Sequence, residues 1–389
     1  MGFLCRYAFK NKSKRFWAAL GDAVGHAAFL VPRFLKPKLD LARIKKILVI
    51  RLDHLGDVAM TRPALQALFN HFPHAQIDLL VPAETAPLLQ DSREVRKILT
   101  MEHSWFSKSS LKEQWREAQN ILGHLKEQHY DLGIDFRGDL RNILLMAFAG
   151  IPERFGYGRT GGGFLLTYLG KYSRKEHQVE LNRKLLRPLG IDEEPANEPF
   201  LYSQSRKLQF WESTGRLLPE GARPRIVIHP GAGYPSKRWP ASKFKTLIER
   251  ILAENLGPII LIGTETEKNL LSLDVRDPRL IDLRGKTRLE ELPILLDACH
   301  VFIGNDSGPS HIAAAQGLPL ILLFSGTNDA LVWHPWAKSI ALIRHEVPCS
   351  PCEARECPLI HHDCMEKISV EEVLAQLRVA LNKAGTRFL

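Results

Sequence analysis

Short apolar runs recur through this chain in two series, and each run ends in a turn that opens a helical stretch. Ile47-Leu48-Val49-Ile50 is the first, with no polar residue inside it. Such a run predicts a strand buried on both faces, as parallel sheets require. Ile77 to Val81, Val95 to Leu99 and Asp131 to Phe136 read as three more strands, with helices at 58–72, 111–128 and 139–149 between them. A second series begins after Pro224. Its strands are expected at 225–229, 258–263, 280–283, 301–304 and 318–324, and its helices at 241–255, 266–273, 288–299 and 309–316. This βαβα order predicts parallel sheets with helices on both faces. Two stretches, Ile191 to Pro199 and Leu218 to Pro224, separate the series. The expected architecture is α/β, with one Rossmann-like domain over 46–205 and a second over 222–389. Ligands in such folds sit at the carboxyl ends of the strands, so the two domains are expected to face each other across a cleft.

Residues 1–45 form a separate leader. The chain carries a net charge of +10, and residues 1–46 hold eleven Lys or Arg against two acids, Asp22 and Asp40. The other 343 residues hold 42 basic and 41 acidic side chains, so the body is close to neutral. A neutral body lacks the broad basic face that nucleic acids need, and no nucleic acid partner is expected. The leader mixes its cations with Phe3, Leu4, Tyr7, Phe16, Trp17, Leu20, Val24, Phe29, Leu30 and Val31, and Phe16, Leu20, Val24 and Ala27 fall at helical spacing. Two readings fit: a basic amphipathic helix lying on a membrane surface, or a helix packed on the body by its apolar stripe. Its longest uncharged stretch, Ala23 to Pro32, is far short of the roughly 20 residues of a membrane span. No cleavage pattern comes after it, so export is not expected.

Several turns could carry chemistry. Gly156-Tyr157-Gly158-Arg159-Thr160-Gly161 matches the dinucleotide fingerprint. It is preceded by Pro152, Glu153 and Arg154 and followed by two more glycines, so the strand and helix that give the motif meaning are not expected around it. That disfavours a nicotinamide-dependent oxidoreductase. Asp57 comes just after the first strand, either as a helix N-cap or as a carboxylate able to take a proton from a hydroxyl. The second series opens with His229-Pro230-Gly231-Ala232-Gly233, then Lys237-Arg238. Glycines let backbone approach a phosphate and Lys237 can neutralise one. Gly304-Asn305-Asp306-Ser307-Gly308-Pro309-Ser310-His311 again ends a strand and opens a helix, with Pro309 suited to a first turn. Free backbone N–H groups there, with the Ser307 hydroxyl and His311, would make an anion site. Finally Cys349, Cys352, Cys357 and Cys364 lie within sixteen residues with His361 and His362. Reduced thiols packed in a turn, a structural metal knuckle and a disulfide pair all fit that crowding.

Taken together these segments resemble glycosyltransferase family 9, the ADP-heptose:lipopolysaccharide heptosyltransferases. The resembling residues are Ile47 to Arg51 with Leu55-Gly56-Asp57-Val58, then His229-Pro230-Gly231-Ala232 with Lys237-Arg238-Trp239-Pro240, then Gly263-Thr264-Glu265, and Gly304 to Ala314. The cysteine segment also looks like that of family members. The resemblance covers about residues 46–381 and leaves the leader outside. It implies a GT-B fold and an enzyme that transfers a heptose from ADP-heptose to the lipid A–core acceptor of lipopolysaccharide. Inversion at the anomeric carbon and no catalytic metal or other cofactor are implied with it. Residue by residue, Asp57 matches the general base and Lys237 the cation on the donor diphosphate. Asp306, Ser307, Gly308 and His311 match the diphosphate-binding turn, with Ser307 where some members have Thr. Glu265 matches the acid on the adenosine ribose, with Glu267 close enough to compete for the role. Acceptor contacts are expected from Arg137, Arg154, Arg159 and His177. The acceptor is a phosphorylated lipid of the cytoplasmic leaflet, which would give the basic leader a purpose and place the protein at the inner face of the cytoplasmic membrane. The rival reading is a sugar-nucleotide epimerase, hydrolase or binding protein on the same scaffold.

Overall fold

The computed structural model describes residues 11–28, 40–102, 110–194, 196–218, 221, 224–273, 275–359 and 361–385. The chain divides into two compact units, one of residues 1–87 and 93–196, the other of 88–92 and 197–389.

The first unit is built on six parallel strands: β1 Lys46–Ile50, β2 Gln76–Pro82, β3 Lys97–Met101, β4 Leu132–Asp135, β5 Glu153–Gly156 and β6 Tyr168–Leu169. Their order is β3-β2-β1-β4-β5-β6. β1 lies between β2 and β4, with Ile47 opposite Ile77 on one side and Leu132 on the other. Ile47, Leu48, Val49 and Ile50 are wholly buried, which is why this run carries no polar residue. The second unit repeats the plan with β7 Ile226–His229, β8 Ile259–Leu261, β9 Leu280–Asp282, β10 Val301–Asn305, β11 Leu320–Leu323 and β12 Ile340–Ile343. Its order, β12-β11-β10-β7-β8-β9, is the first unit's order read from the other edge. Trp239, Phe244, Leu247, Ile248 and Ile251 pack with Val373, Leu374 and Leu377 of the last helix, Val370–Gly385.

Differences from expectation have local causes. The helix expected at 58–72 is two, Leu55–Ala59 and Arg62–His71. Pro63 has no N–H to give to a continuous helix and suits a first turn, so the chain restarts at Thr61. The strand expected at 95–99 runs from Lys97 to Met101. β5 does lead into the glycine fingerprint, contrary to the expectation that no strand would. Beyond the motif the chain forms only the short 3-10 turn Gly163–Leu165, so the fingerprint still lacks its helix.

The helix Lys12–Ala28 belongs to the first unit. It docks through Ala19, Asp22 and Gly25, which are spaced three residues apart and are all buried. The Asp22 carboxylate accepts from Gly162 N at 2.7 Å and Gly163 N at 3.1 Å, capping the 3-10 turn with negative charge. A Cβ added at Gly25 would land 2.4 Å from the Phe164 ring, so only glycine allows this approach. The large apolar residues point the other way: Phe16, Trp17, Leu20 and Val24 are exposed. The helix therefore does pack on the body, but not by its apolar stripe. Residues 1–10 and 29–39 of the leader, with Phe3, Leu4, Tyr7, Phe29, Leu30 and Val31, lie outside the described residues. Asp22→Ala is expected to cost about 1–2 kcal/mol as a lost cap, read as faster amide exchange at Gly162 and Gly163.

Candidate functional site

In an open parallel sheet the strand order reverses at one point, where neighbouring crossovers leave in opposite directions and open a crevice at the carboxyl ends. In the first unit that point lies between β1 and β4, and in the second between β7 and β10. Both candidate clusters sit there.

In the first unit, β1 runs into Arg51, Leu52 and Asp53. Asp57 is the third residue of the helix Leu55–Ala59, whose N-cap position belongs to His54, so Asp57 is not the N-cap. Its carboxylate Oδ1 accepts from Arg51 Nη2 at 2.9 Å. Arg51 is almost fully buried, and its Nε and Nη1 have no hydrogen-bond partner. A second Arg–Asp pair lies alongside. Arg137, on the turn after β4, reaches Asp53 Oδ1 at 3.0 Å and donates to Leu52 O at 2.9 Å. That turn is organised by Asp135, which accepts from the backbone N–H of Arg137 and Asp139 and from Asn142 Nδ2. Burial pushes the Asp135 carboxyl up to about 7 against the pull of Asn142. Of the four residues expected to meet an acceptor, Arg137 joins this cluster. Arg154 is engaged by the carbonyl of Leu165, and His177 caps the helix Gln178–Leu186. Arg159 lies over the Tyr172 ring, 4.2 Å from its centroid.

In the second unit, Lys237 Nζ lies 2.6 Å from Asp306 Oδ2, and His311 Nε2 lies 3.8 Å from Asp306 Oδ1. Burial alone would raise the Asp306 carboxyl, but Lys237 and His311 outweigh it and hold it at about 2. The turn is stitched together by Asn305. Its Oδ1 accepts from Trp239 N at 3.0 Å, and its Nδ2 donates to Pro230 O at 2.8 Å and Gly231 O at 3.2 Å. Ser307 is the N-cap of the eight-residue helix Gly308–Ala315. The Nδ1 of His311 is buried and has no partner.

Glu265 and Glu267, the two acids that the sequence offers for the ribose, differ in their surroundings. Glu265 is exposed and paired with Lys268 at 2.7 Å. Glu267 turns inward. It caps Thr264 N at 2.7 Å and lies 3.5 Å from His229 Nε2, and a Cβ on Gly231 would come within 1.8 Å of its Oε1. His229, Asn305 and Arg51 lay inside the quoted motifs, but no role was anticipated for them. A polar last residue on the buried strands β7 and β10, and a cation directly after β1, were the available signal.

The cysteine segment braces the lysine loop. Ser236 N donates to Arg355 O at 3.2 Å, Ser236 Oγ to Ala354 O at 2.6 Å, and His362 Nε2 lies 2.9 Å from Ser236 O. Cys349, Cys352, Cys357 and Cys364 are free thiols. Cys364 is buried, Cys352 and Cys357 are half-buried and Cys349 is exposed; among the described residues no three His, Cys, Asp or Glu side chains are placed to hold a metal ion.

The profile of glycosyltransferase family 9 (heptosyltransferase) matches residues 119–362, well over half the chain. The chain belongs to that family. A lipooligosaccharide heptosyltransferase 2 from Haemophilus influenzae is 30% identical over 302 residues, spanning 72% of this chain and 84% of that protein. An Escherichia coli lipopolysaccharide heptosyltransferase 3 is 26% identical over 296 residues, spanning 73% and 84%. The solved structure of an E. coli ADP-heptose LPS heptosyltransferase II overlays with a TM-score of 0.67 at 24% identity, covering 87% of this chain and 99% of that one. This family 9 protein is thus a glycosyltransferase of the GT-B type, and the epimerase, hydrolase and binding-protein readings give way to a transferase.

Proposed function

We propose that this enzyme moves a heptose from ADP-heptose to the inner core of lipopolysaccharide, with inversion. The observation that carries the reading is the pairing of chemistry with topology. A carboxylate held by a buried arginine stands at one strand-order reversal, and a lysine-bearing anion turn stands at the other. The names of the relatives supply the sugar and the acceptor. Direct displacement at an anomeric carbon needs a base for the incoming hydroxyl and stabilisation of the leaving group. Asp57 is assigned the first role. Lys237, the backbone N–H groups at the head of Gly308–Ala315, Ser307 and His311 are assigned the second. Asp306 is an anion and does not touch phosphate directly; it holds Lys237 and His311 in place. A cation and a helix N-terminus then do for the diphosphate what magnesium does in other transferases. Glu267 is better placed than Glu265 to reach a nucleotide bound at this turn. Mass spectrometry of core oligosaccharide from a strain lacking the protein tests the reading. A missing heptose supports it, and an unchanged core refutes it.

The acceptor implies a location. We place the enzyme in the cytoplasm, peripheral at the inner membrane face, through the outward stripe Phe16, Trp17, Leu20 and Val24 and the surrounding cations. Among the described residues no helix is long and apolar enough to cross a membrane. Each Lys or Arg near an anionic leaflet contributes about 1 kcal/mol, screened by salt, while apolar insertion is not screened. Phe16→Ser with Trp17→Ser, on the side away from the Asp22 contact, should abolish salt-resistant binding to anionic vesicles. Turnover on a soluble, delipidated acceptor should be unchanged. Retained salt-resistant binding would exclude this stripe as the attachment.

A further inference from the structure

The donor-side turn holds a histidine that the reaction as described leaves unused. His229 is the last residue of β7 and is almost entirely enclosed. Its Nδ1 lies 3.0 Å from Ser307 Oγ and its Nε2 lies 3.5 Å from Glu267 Oε2. Glu267 is itself fixed, because Thr264 N and Thr264 Oγ1 donate to Oε2 at 2.7 and 3.1 Å. Burial would raise its carboxyl, yet His229 and Thr264 outweigh burial and hold it at about 2. An ionised carboxylate only accepts hydrogen bonds, so the hydrogen between them belongs to Nε2, and Nδ1 is the atom left with a choice. In a neutral ring Nδ1 is an acceptor and takes the single hydroxyl hydrogen of Ser307. The serine then turns lone pairs toward the place where the helix would meet an anion. In a ring with a second proton, Nδ1–H donates to Ser307 Oγ, and the hydroxyl hydrogen can be given to a phosphate oxygen. Only the second arrangement suits a diphosphate.

We propose that His229 and Glu267 are positioning residues for the donor: in the donor complex His229 carries a second proton and turns the Ser307 hydroxyl toward the diphosphate. The inference rests on the reading of the donor as an ADP-sugar. One proton from solvent is added to Nδ1, and no bond of the donor is broken. The new positive charge lies between the Glu267 carboxylate and the diphosphate and adds a second cation to Lys237. Glu267 faces Nε2 and Ser307 faces Nδ1. The other titratable groups of the turn, Lys237, Asp306 and His311, are engaged with one another.

The test is calorimetric titration of the full-length protein with ADP-heptose, without acceptor, in buffers of different ionisation enthalpy. The donor is a pyrophosphate diester with no group that titrates between about pH 7 and 8.5, so protons counted there belong to the protein. The wild type should take up protons as the donor binds, with affinity falling as pH rises. His229→Asn keeps an amide able to donate to Ser307. It should abolish the uptake and flatten the pH dependence while preserving most of the affinity at low pH. Glu267→Gln should reduce the uptake and weaken binding by roughly 10–100-fold, raising KM for the donor more than it lowers kcat. Binding by the wild type without uptake overturns the inference alone. So does uptake that survives His229→Asn, which would assign the proton to another group such as His311. Failure of ADP-heptose to bind at all would overturn the donor reading itself.

Discussion

Asp57→Asn should lower turnover by about 10²–10⁴, the usual range for loss of a general base, while ADP-heptose still binds. The substitution keeps the shape of the side chain and removes its charge. The amide oxygen can still accept from Arg51 Nη2, which now donates to Asp57 Oδ1 at 2.9 Å. The control is stability. Arg51 is buried, with two further nitrogens already unpartnered, and breaking a buried ion pair outright can cost about 3–5 kcal/mol. Donor affinity and melting temperature therefore need to be measured beside turnover. A mutant that binds donor and melts normally yet turns over slowly has lost the base. Near-normal turnover would leave Asp57 as a partner for Arg51 and nothing more.

Lys237→Ala should weaken donor binding and slow transfer together, by about 10²–10³ for a lost electrostatic group. The effect has two parts. The diphosphate loses a direct cation, and Asp306 loses the neighbour 2.6 Å away that most opposes its burial. A buried carboxylate left with His311 and Asn328 would repel an incoming diphosphate. Pairing the substitution with Asp306→Asn should recover part of the loss if that repulsion matters, and none if only the direct contact does. With Lys237 in the role of the metal, EDTA should leave wild-type activity intact. Strong inhibition by EDTA, restored by magnesium or manganese, would refute this account of the leaving group.

The residues that resembled the family in the two sheets fall at or just past the ends of β1, β7, β8 and β10, and that much was legible because buried parallel strands are written as unbroken apolar runs. The helix 111–128 was found at its expected bounds, since the Ser110–Glu113 capping box marks its start. β5 was not legible: Glu153-Arg154-Phe155-Gly156 is half-buried at its start and carries two charges. The last helix was not anticipated, although Val370, Val373, Leu374 and Leu377 stand at helical spacing in it. The pairing of side chains was beyond the sequence. Ser307 meets His229 across 78 positions, because β7 and β10 are neighbours only after the strand order reverses. The docking of Lys12–Ala28 by Ala19, Asp22 and Gly25 was hidden for a different reason. A stripe of large apolar residues predicts burial, and here the small residues and one acid are buried instead.

The repeated strand order bears on how freely this chain can vary. Both clusters are assembled at carboxyl ends of strands, so each segment that returns to an amino end is remote from them along the sheet. The stretch His71 to Ala75, entering β2, is such a return, and His74 is exposed there. A peptide tag or a fluorophore placed at that turn would leave the Arg51–Asp57 pair undisturbed. The same insertion between Leu52 and Asp57 would separate Arg51 from the carboxylate it holds.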